Sequence, residues 1–302
     1  MKHSLSITLA LLAIFLLTQM FGLFTISKYE EVKISPTGEV NITHPDTIFG
    51  PQPEVKVKTF TFIPIMFIIL LGTALIFMLI KFRLGGFWKY GFVFGVFVAL
   101  AVSFEVYLGA LLGVVVAILL SYWKVFRPNV IVHNLTEIFI YPGIAIVLLP
   151  LLNVVSVMLL LLFISIYDFI AVFQSKHMIK LAKFQTGSRA FAGLYLPYNM
   201  KYPKKEEAAS EEMTSSKGGG QTAILGGGDI AFPLLFSAAV FESLVLNGAL
   251  VQTALLQSFI ISATSTIALA ILLFAAKKQK FYPAMPILSV GCVVGYGIIF
   301  LL

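Results

Sequence analysis

Apolar runs of about 20 residues, repeated along the whole chain, constrain this sequence more than any other feature. Each can carry a helix across the ~30 Å hydrocarbon core of a bilayer, where only helices and closed barrels satisfy their own backbone groups. The 302 residues are 59% hydrophobic and 12% charged, with a mean hydropathy of +0.97. A soluble domain carries about 25% charged residues. The sequence therefore specifies an all-α polytopic membrane protein. Its net charge of +7 does not mark a nucleic-acid binder, because the basic residues are dispersed in short loops between the runs. The single cysteine, Cys292, excludes a disulfide and a thiolate cluster. His3, His44, His133 and His177 lie outside the expected spans without ligand spacing, so no metal or other cofactor is expected.

Nine spans account for the runs. The first covers residues 5–24 and is read as retained, since no Ala-x-Ala cleavage site follows it. The second covers 60–80. Residues 87–123 are too long for one crossing and divide near Ser103-Phe104-Glu105 into a third and a fourth, which makes Glu105 a solvated turn residue. The fifth covers 138–152, the sixth 154–173 and the seventh 222–241, with Glu242 capping the outer end of the seventh. The eighth covers 249–276 and the ninth 283–302. Between the first two spans, a turn is expected at Pro36-Thr37-Gly38 and a short strand over 54–58. Lys176, Lys180 and Lys183 suit an amphipathic helix on an anionic membrane surface, and the Ser/Gly-rich stretch after it suits a mobile loop. The expected organisation is one domain over 1–302. Spans one to five (1–152) form a scaffold, and spans six to nine (153–302) include a flexible cytoplasmic loop at about 175–221.

Loop charge orients the bundle. With the N-terminus cytoplasmic, all of the 21 Lys and Arg residues except Lys28, Lys33, Lys56 and Lys58 fall inside. That is a strong positive-inside bias, and it leaves the C-terminus external.

Two spans hold one acidic residue each and no basic one: Asp168 in the sixth, Asp229 in the seventh. A carboxylate at mid-helix costs about 2.5–3.5 kcal/mol on insertion scales, so such residues are candidates for function. Counted from the expected cytoplasmic edges at Gln174 and Thr222, both lie about 9–10 Å below the same face. Two close carboxylates do not both ionise readily, and a pair sharing one proton can do the work of an aspartic protease. The ionised member takes a proton from water while the neutral member polarises the scissile carbonyl. The plainer reading makes them unrelated polar residues paired with backbone or buried water. A third is a cation channel or proton-coupled transporter in which both aspartates bind the ion.

Tyr167-Asp168 in a sixth span and Gly226-Gly227-Gly228-Asp229 in a seventh resemble the YD and GxGD signatures of the presenilin and signal-peptide-peptidase family. Pro283-Ala284-Met285 at the head of a ninth resembles that family's PAL motif, with Met285 in place of Leu. The motifs cover roughly residues 153–302, and the first five spans agree by count alone. The resemblance implies an intramembrane aspartyl protease with Asp168 and Asp229 as its catalytic pair, cleaving peptide bonds in transmembrane-helix substrates. The N-in orientation is similar to presenilins. The short loops resemble the compact microbial (archaeal) members, implying action without partner subunits. Prepilin peptidases share a GxGD aspartate but not the span count or the other two motifs. Gly226 and Gly228 then permit close approach of substrate backbone, or simply close helix packing. Tyr167 orients Asp168 or packs, and Pro283 shapes the rim or sits in a first helical turn, where it removes no needed donor. Residues 218–228 and Pro283-Ala284-Met285 are expected to receive unwound substrate, with 218–228 poorly ordered beforehand.

Overall fold

A computed structural model of the chain describes residues 4–35, 40–53, 55, 57–82, 84–127, 129–173, 184, 190–197, 222–276 and 282–302. Among them are nine α-helices: α1 (Leu5–Tyr29), α2 (Phe62–Lys81), α3 (Gly85–Leu108), α4 (Ala110–Phe126), α5 (Val130–Leu148), α6 (Val154–Phe173), α7 (Gly227–Leu246), α8 (Val251–Ala275) and α9 (Met285–Leu301). Seven are long and apolar enough to cross a membrane, while α4 and α9 are shorter apolar helices of 17 residues. At 1.5 Å per residue, 17 residues reach about 25 Å. The described residues also form two antiparallel strand pairs: β1 (Glu31–Ile34) with β2 (Val40–Thr43), and β3 (Gly193–Pro197) with β4 (Thr222–Gly226).

The bundle is organised around α7. It packs against α1, α5, α6, α8 and α9, and a larger share of it is buried than of any other spanning helix. At the other extreme α2 lies at the edge, with Phe67 65% and Ile68 64% exposed, an apolar surface suited to lipid. The crossing of α9 on α8 depends on Gly291 and Gly295. A Cβ on Gly291 would lie 2.7 Å from that of Ala268, and one on Gly295 would lie 2.8 Å from the Ile261 Cα. Small residues four apart let membrane helices approach backbone to backbone where no hydrophobic drive exists between them.

Several boundaries differ from the sequence expectation for identifiable reasons. The break between α3 and α4 falls at Gly109, whose φ of 75° suits glycine, and not at Ser103-Phe104-Glu105. Glu105 is therefore a residue of α3 and not a solvated turn: its Oε2 accepts the Ile48 N–H at 3.0 Å. Helix α5 begins at Val130 rather than 138, with Asn129 as N-cap accepting the Ile131 N–H. The polar residues of its first turns face protein, not lipid, which disguised them as loop. His133 thus lies inside a helix, and buried. The seventh span opens as strand β4 over 222–226 and becomes helix only at Gly227. Asp229 is then in the first turn of α7, not several residues inside a helix. Glu242, expected to cap the outer end of the span, lies inside the helix, which runs on to Leu246, and is buried.

The ordered pairing of β4 also corrects the expectation that all of 218–228 lacks order; residues 218–221 lie outside the described residues. Part of the expected loop 175–221 forms β3, and the rest, with the amphipathic segment 176–183, lies outside the described residues except Phe184 and 190–197. Pro36-Thr37-Gly38 lies outside them too. Of the strand expected over 54–58, Glu54 and Lys56 lie outside, and Lys58 opens a 3-10 turn.

Candidate active site

Helix α7 starts where β4 ends. Gly226 is its N-cap and Asp229 its third residue, and the Asp229 carboxylate reaches back to accept the Gly226 backbone N–H. This is one half of a capping box, a local reason for an acidic residue at that position whatever its chemistry. A Cβ on Gly226 would lie 3.2 Å from Asp229 Oδ2, so glycine there keeps the carboxylate where it is. Gly227 donates to the Ala192 carbonyl at 3.1 Å, and Gly226 pairs with Gly193 in the strand ladder. The glycine run is thereby anchored on β3. Gly228 is exposed.

Asp168, buried on α6, caps a different helix. Its Oδ2 accepts the Met285 N–H at 3.1 Å, and the Ala284 N–H also donates to the carboxylate. Ala284 is the N-cap and Met285 the first residue of α9, followed by Pro286, which has no N–H to leave unpaired. Pro283 and Met285 are buried, and Ala284 is half-buried. Ser289, one turn into α9, donates to Ser165 Oγ, whose own proton goes to the Leu161 carbonyl. That contact fixes α9 on α6 beside Asp168. It was invisible in the sequence, where both serines look like ordinary span residues.

Each aspartate therefore sits on the N-terminus of a helix, α7 for Asp229 and α9 for Asp168. A partly buried helix N-terminus favours a carboxylate by up to about 2 kcal/mol, and hydrogen bonds to a charged group add about 1.5–3. Together these offset most of the roughly 5–7 kcal/mol that two carboxylates cost in a membrane. The two carboxylates are close enough for one charge to act on the other. Tyr167 is half-buried, and among the described residues no hydrogen bond joins its hydroxyl to either aspartate. The three motifs, distant in sequence, converge at one end of the bundle.

A family model described as signal-peptide peptidase, presenilin aspartyl protease matches residues 48–302. The chain belongs to this family. Among solved structures, two crystal forms of a presenilin family intramembrane aspartate protease share its fold. One (C222) has a TM-score of 0.59 at 16% identity, covering 96% of this chain and 97% of that one. The other (P2) has a TM-score of 0.57 at 17% identity, covering 97% of each. No curated protein matches the chain. As a member of the presenilin and signal-peptide-peptidase family, the chain is an integral, multi-pass membrane protein and an intramembrane aspartic protease.

One set of residues near the site escaped the sequence reading. Lys124 at the end of α4 is buried and donates to Glu137 Oε1 (2.7 Å), Thr136 Oγ1 (3.1 Å), His133 Nδ1 (3.2 Å) and the His133 carbonyl (3.2 Å). With Nδ1 accepting from the ammonium, Nε2–H is left to donate to the Gly193 carbonyl at 2.8 Å. Glu137 Oε2 accepts the Tyr141 hydroxyl, and Tyr141 lies within electrostatic reach of Asp229. Asn134 adds paired bonds to the Tyr195 backbone, at 2.7 and 2.9 Å. The edge of β3 is thus fastened to α5, and β4 with its glycines hangs from β3. The i, i+4 spacing of His133 and Glu137 was the available signal.

Proposed function

We propose that this protease hydrolyses peptide bonds inside transmembrane helices of other membrane proteins, with Asp168 and Asp229 as its catalytic dyad. The observation that carries the reading is the convergence of both carboxylates with the N–H groups of Ala284 and Met285. The dyad shares one proton as a unit. One carboxylate takes a proton from the attacking water, while the carboxyl group of the other donates to the scissile carbonyl oxygen; water attacks directly, with no covalent intermediate. Bonds from Ala284 and Met285 solvate charge on Asp168, and the Gly226 N–H does so for Asp229. Pro283, Ala284 and Met285 hold the opening of α9 over the dyad, Gly226 and Gly228 keep its other side open, and Tyr167 packs beside it.

A substrate helix has every backbone group bonded internally, so it must unwind locally before its carbonyl can be attacked. Strand β4 offers the replacement partners. It leads directly into Asp229, and among the described residues it pairs with β3 alone. Its other edge suits an added substrate strand. Residues 1–302 act as one unit with nine crossings, N-terminus cytoplasmic and C-terminus external, and no partner subunit. In this arrangement α4 and α9 are the short crossings, and α9 is short because its N-terminus ends at the buried dyad.

The test is cleavage of a single-span substrate by purified protein in liposomes, run beside a cation-flux measurement. Cleavage is expected, and Ala284→Trp should abolish it without lowering thermal stability. Cation flux without cleavage would favour the channel reading.

A further inference from the structure

The end of α7 remote from the dyad carries a second cluster. Glu30 follows the last residue of α1, His44 follows β2, and Glu242 lies in the last turns of α7. Thirteen residues separate Glu242 from Asp229, about 20 Å of helix. One donor atom from each of the three residues lies within 4.8 Å of the other two, and His44 Nε2 is 3.4 Å from Glu242 Oε1. Glu30 is only 7% exposed and Glu242 5%. Apart from the contact between the Glu30 and Glu242 carboxyl groups themselves, neither oxygen of Glu30 nor Oε1 of Glu242 accepts a hydrogen bond from a described residue. Buried charges are ordinarily paired or bound to metal. The charge of Lys58 reaches the cluster, but among the described residues it closes no ion pair with either carboxylate.

We propose that Glu30, His44 and Glu242 bind one divalent cation of the zinc or manganese kind, which fastens the end of α1 and the segment after β2 to the outer end of α7. Two carboxylates cancel the dication's charge, and an imidazole selects a transition metal over magnesium or calcium. A neutral imidazole such as that of His44 has a lone pair to give to the ion. Bonds of about 2.0–2.2 Å at tetrahedral angles set donors roughly 3.4 Å apart. Closing from 4.8 Å takes small rotations of the two glutamates, and water completes the coordination. The site is a structural staple, remote from the dyad, and it joins two neighbouring segments near the start of the chain to Glu242, far away in sequence. The competing arrangement is a metal-free pair in which Glu30 and Glu242 share a proton.

The test uses tag-free full-length protein in detergent, stripped with EDTA, loaded with zinc or manganese chloride and passed through gel filtration before elemental analysis. One equivalent per chain should be retained by the unsubstituted protein. Glu30→Gln and His44→Asn should weaken retention more than about tenfold. A variant-free readout comes from cobalt(II): one equivalent should give the visible absorption of a nitrogen- and oxygen-coordinated ion, displaced by zinc. Failure of the unsubstituted protein to retain any of these metals, or equal retention by both variants, would overturn the site. So would Glu30→Gln raising Tm alongside no metal uptake by the unsubstituted protein, which is the behaviour of the shared-proton pair.

Discussion

Replacing Lys124 by Met would leave the Glu137 carboxylate buried without its counter-charge. The two side chains are almost wholly enclosed, at 1% and 0% exposed, and their ion pair is 2.7 Å long. Breaking one partner of a buried pair costs about 3–5 kcal/mol, whereas replacing both by neutral groups of similar size is often close to neutral. The structure sharpens the asymmetry. In Lys124→Met, Glu137 keeps only the Tyr141 hydroxyl among the hydrogen bonds described here. In Glu137→Gln, Lys124 still donates to Thr136, His133 Nδ1 and the His133 carbonyl, so that change should cost less. At roughly 2 °C per kcal/mol for a chain of this size, Lys124→Met should lower Tm by about 6–10 °C. Differential scanning fluorimetry of detergent-purified protein measures this. Lys124→Met with Glu137→Gln should recover part of the loss, giving a coupling of about 1–3 kcal/mol in the double-mutant cycle. Strictly additive losses, or a single substitution costing under about 1 kcal/mol, would refute the assignment of this pair as a desolvated anchor for α5 and β3.

Gly226→Ala should reduce kcat for a single-span substrate about tenfold or more, roughly 1.4 kcal/mol of barrier, with little change in Tm, because its Cβ would press on Asp229 Oδ2. The activity profile should be a bell whose two limbs belong to the Asp168–Asp229 pair; substituting either residue should abolish activity rather than shift one limb. For Glu30, burial and then the Glu242 charge raise the carboxyl well above its ordinary 4.5, so the metal-free native state holds a proton that the unfolded chain releases. Its contribution to stability is complete below about pH 4.5 and declines as pH rises through the raised value; Glu30→Gln should therefore flatten the fall in Tm of EDTA-stripped protein between pH 5 and 8. His44, pushed down to about 4, works in the opposite sense, its contribution present above 6.5 and lost as pH falls toward 4. In intact cells, a cysteine at Gly38 should react with an impermeant thiol reagent, while cysteines at Gly219 and Lys278 should not; reaction at all three would overturn the N-in, nine-crossing arrangement.

The proposed pair was legible as a candidate because carboxylates are rare and costly in apolar runs, and Asp168 and Asp229 stood out on that ground alone. What surrounds them was less legible. The sequence expectation gave both aspartates one depth by treating 222–241 as helix, but 222–226 pairs with 193–197, a contact between segments separated by a polar stretch with no strand periodicity. Helix α5 was read eight residues short because its buried polar side, His133 with Thr136 and Glu137, lowers hydropathy as a loop would. Hydropathy reports composition, not the direction a side chain faces. Glu105 misled for a similar reason: an acidic residue suggested a helix end, while Gly109, four residues on, was the real stop. Glu30, His44 and Glu242 carry no spacing signal at all, since three different segments bring them together.

Cleavage of a purified single-span substrate by the unsubstituted protein, by Asp168→Asn and by Asp229→Asn tests the central claim most directly. Asparagine keeps the shape of each side chain and removes its ability to exchange a proton, so both variants should fold, bind substrate and release no product detectable by mass spectrometry. Product formed by either variant at a rate near that of the unsubstituted protein would contradict the two-aspartate mechanism.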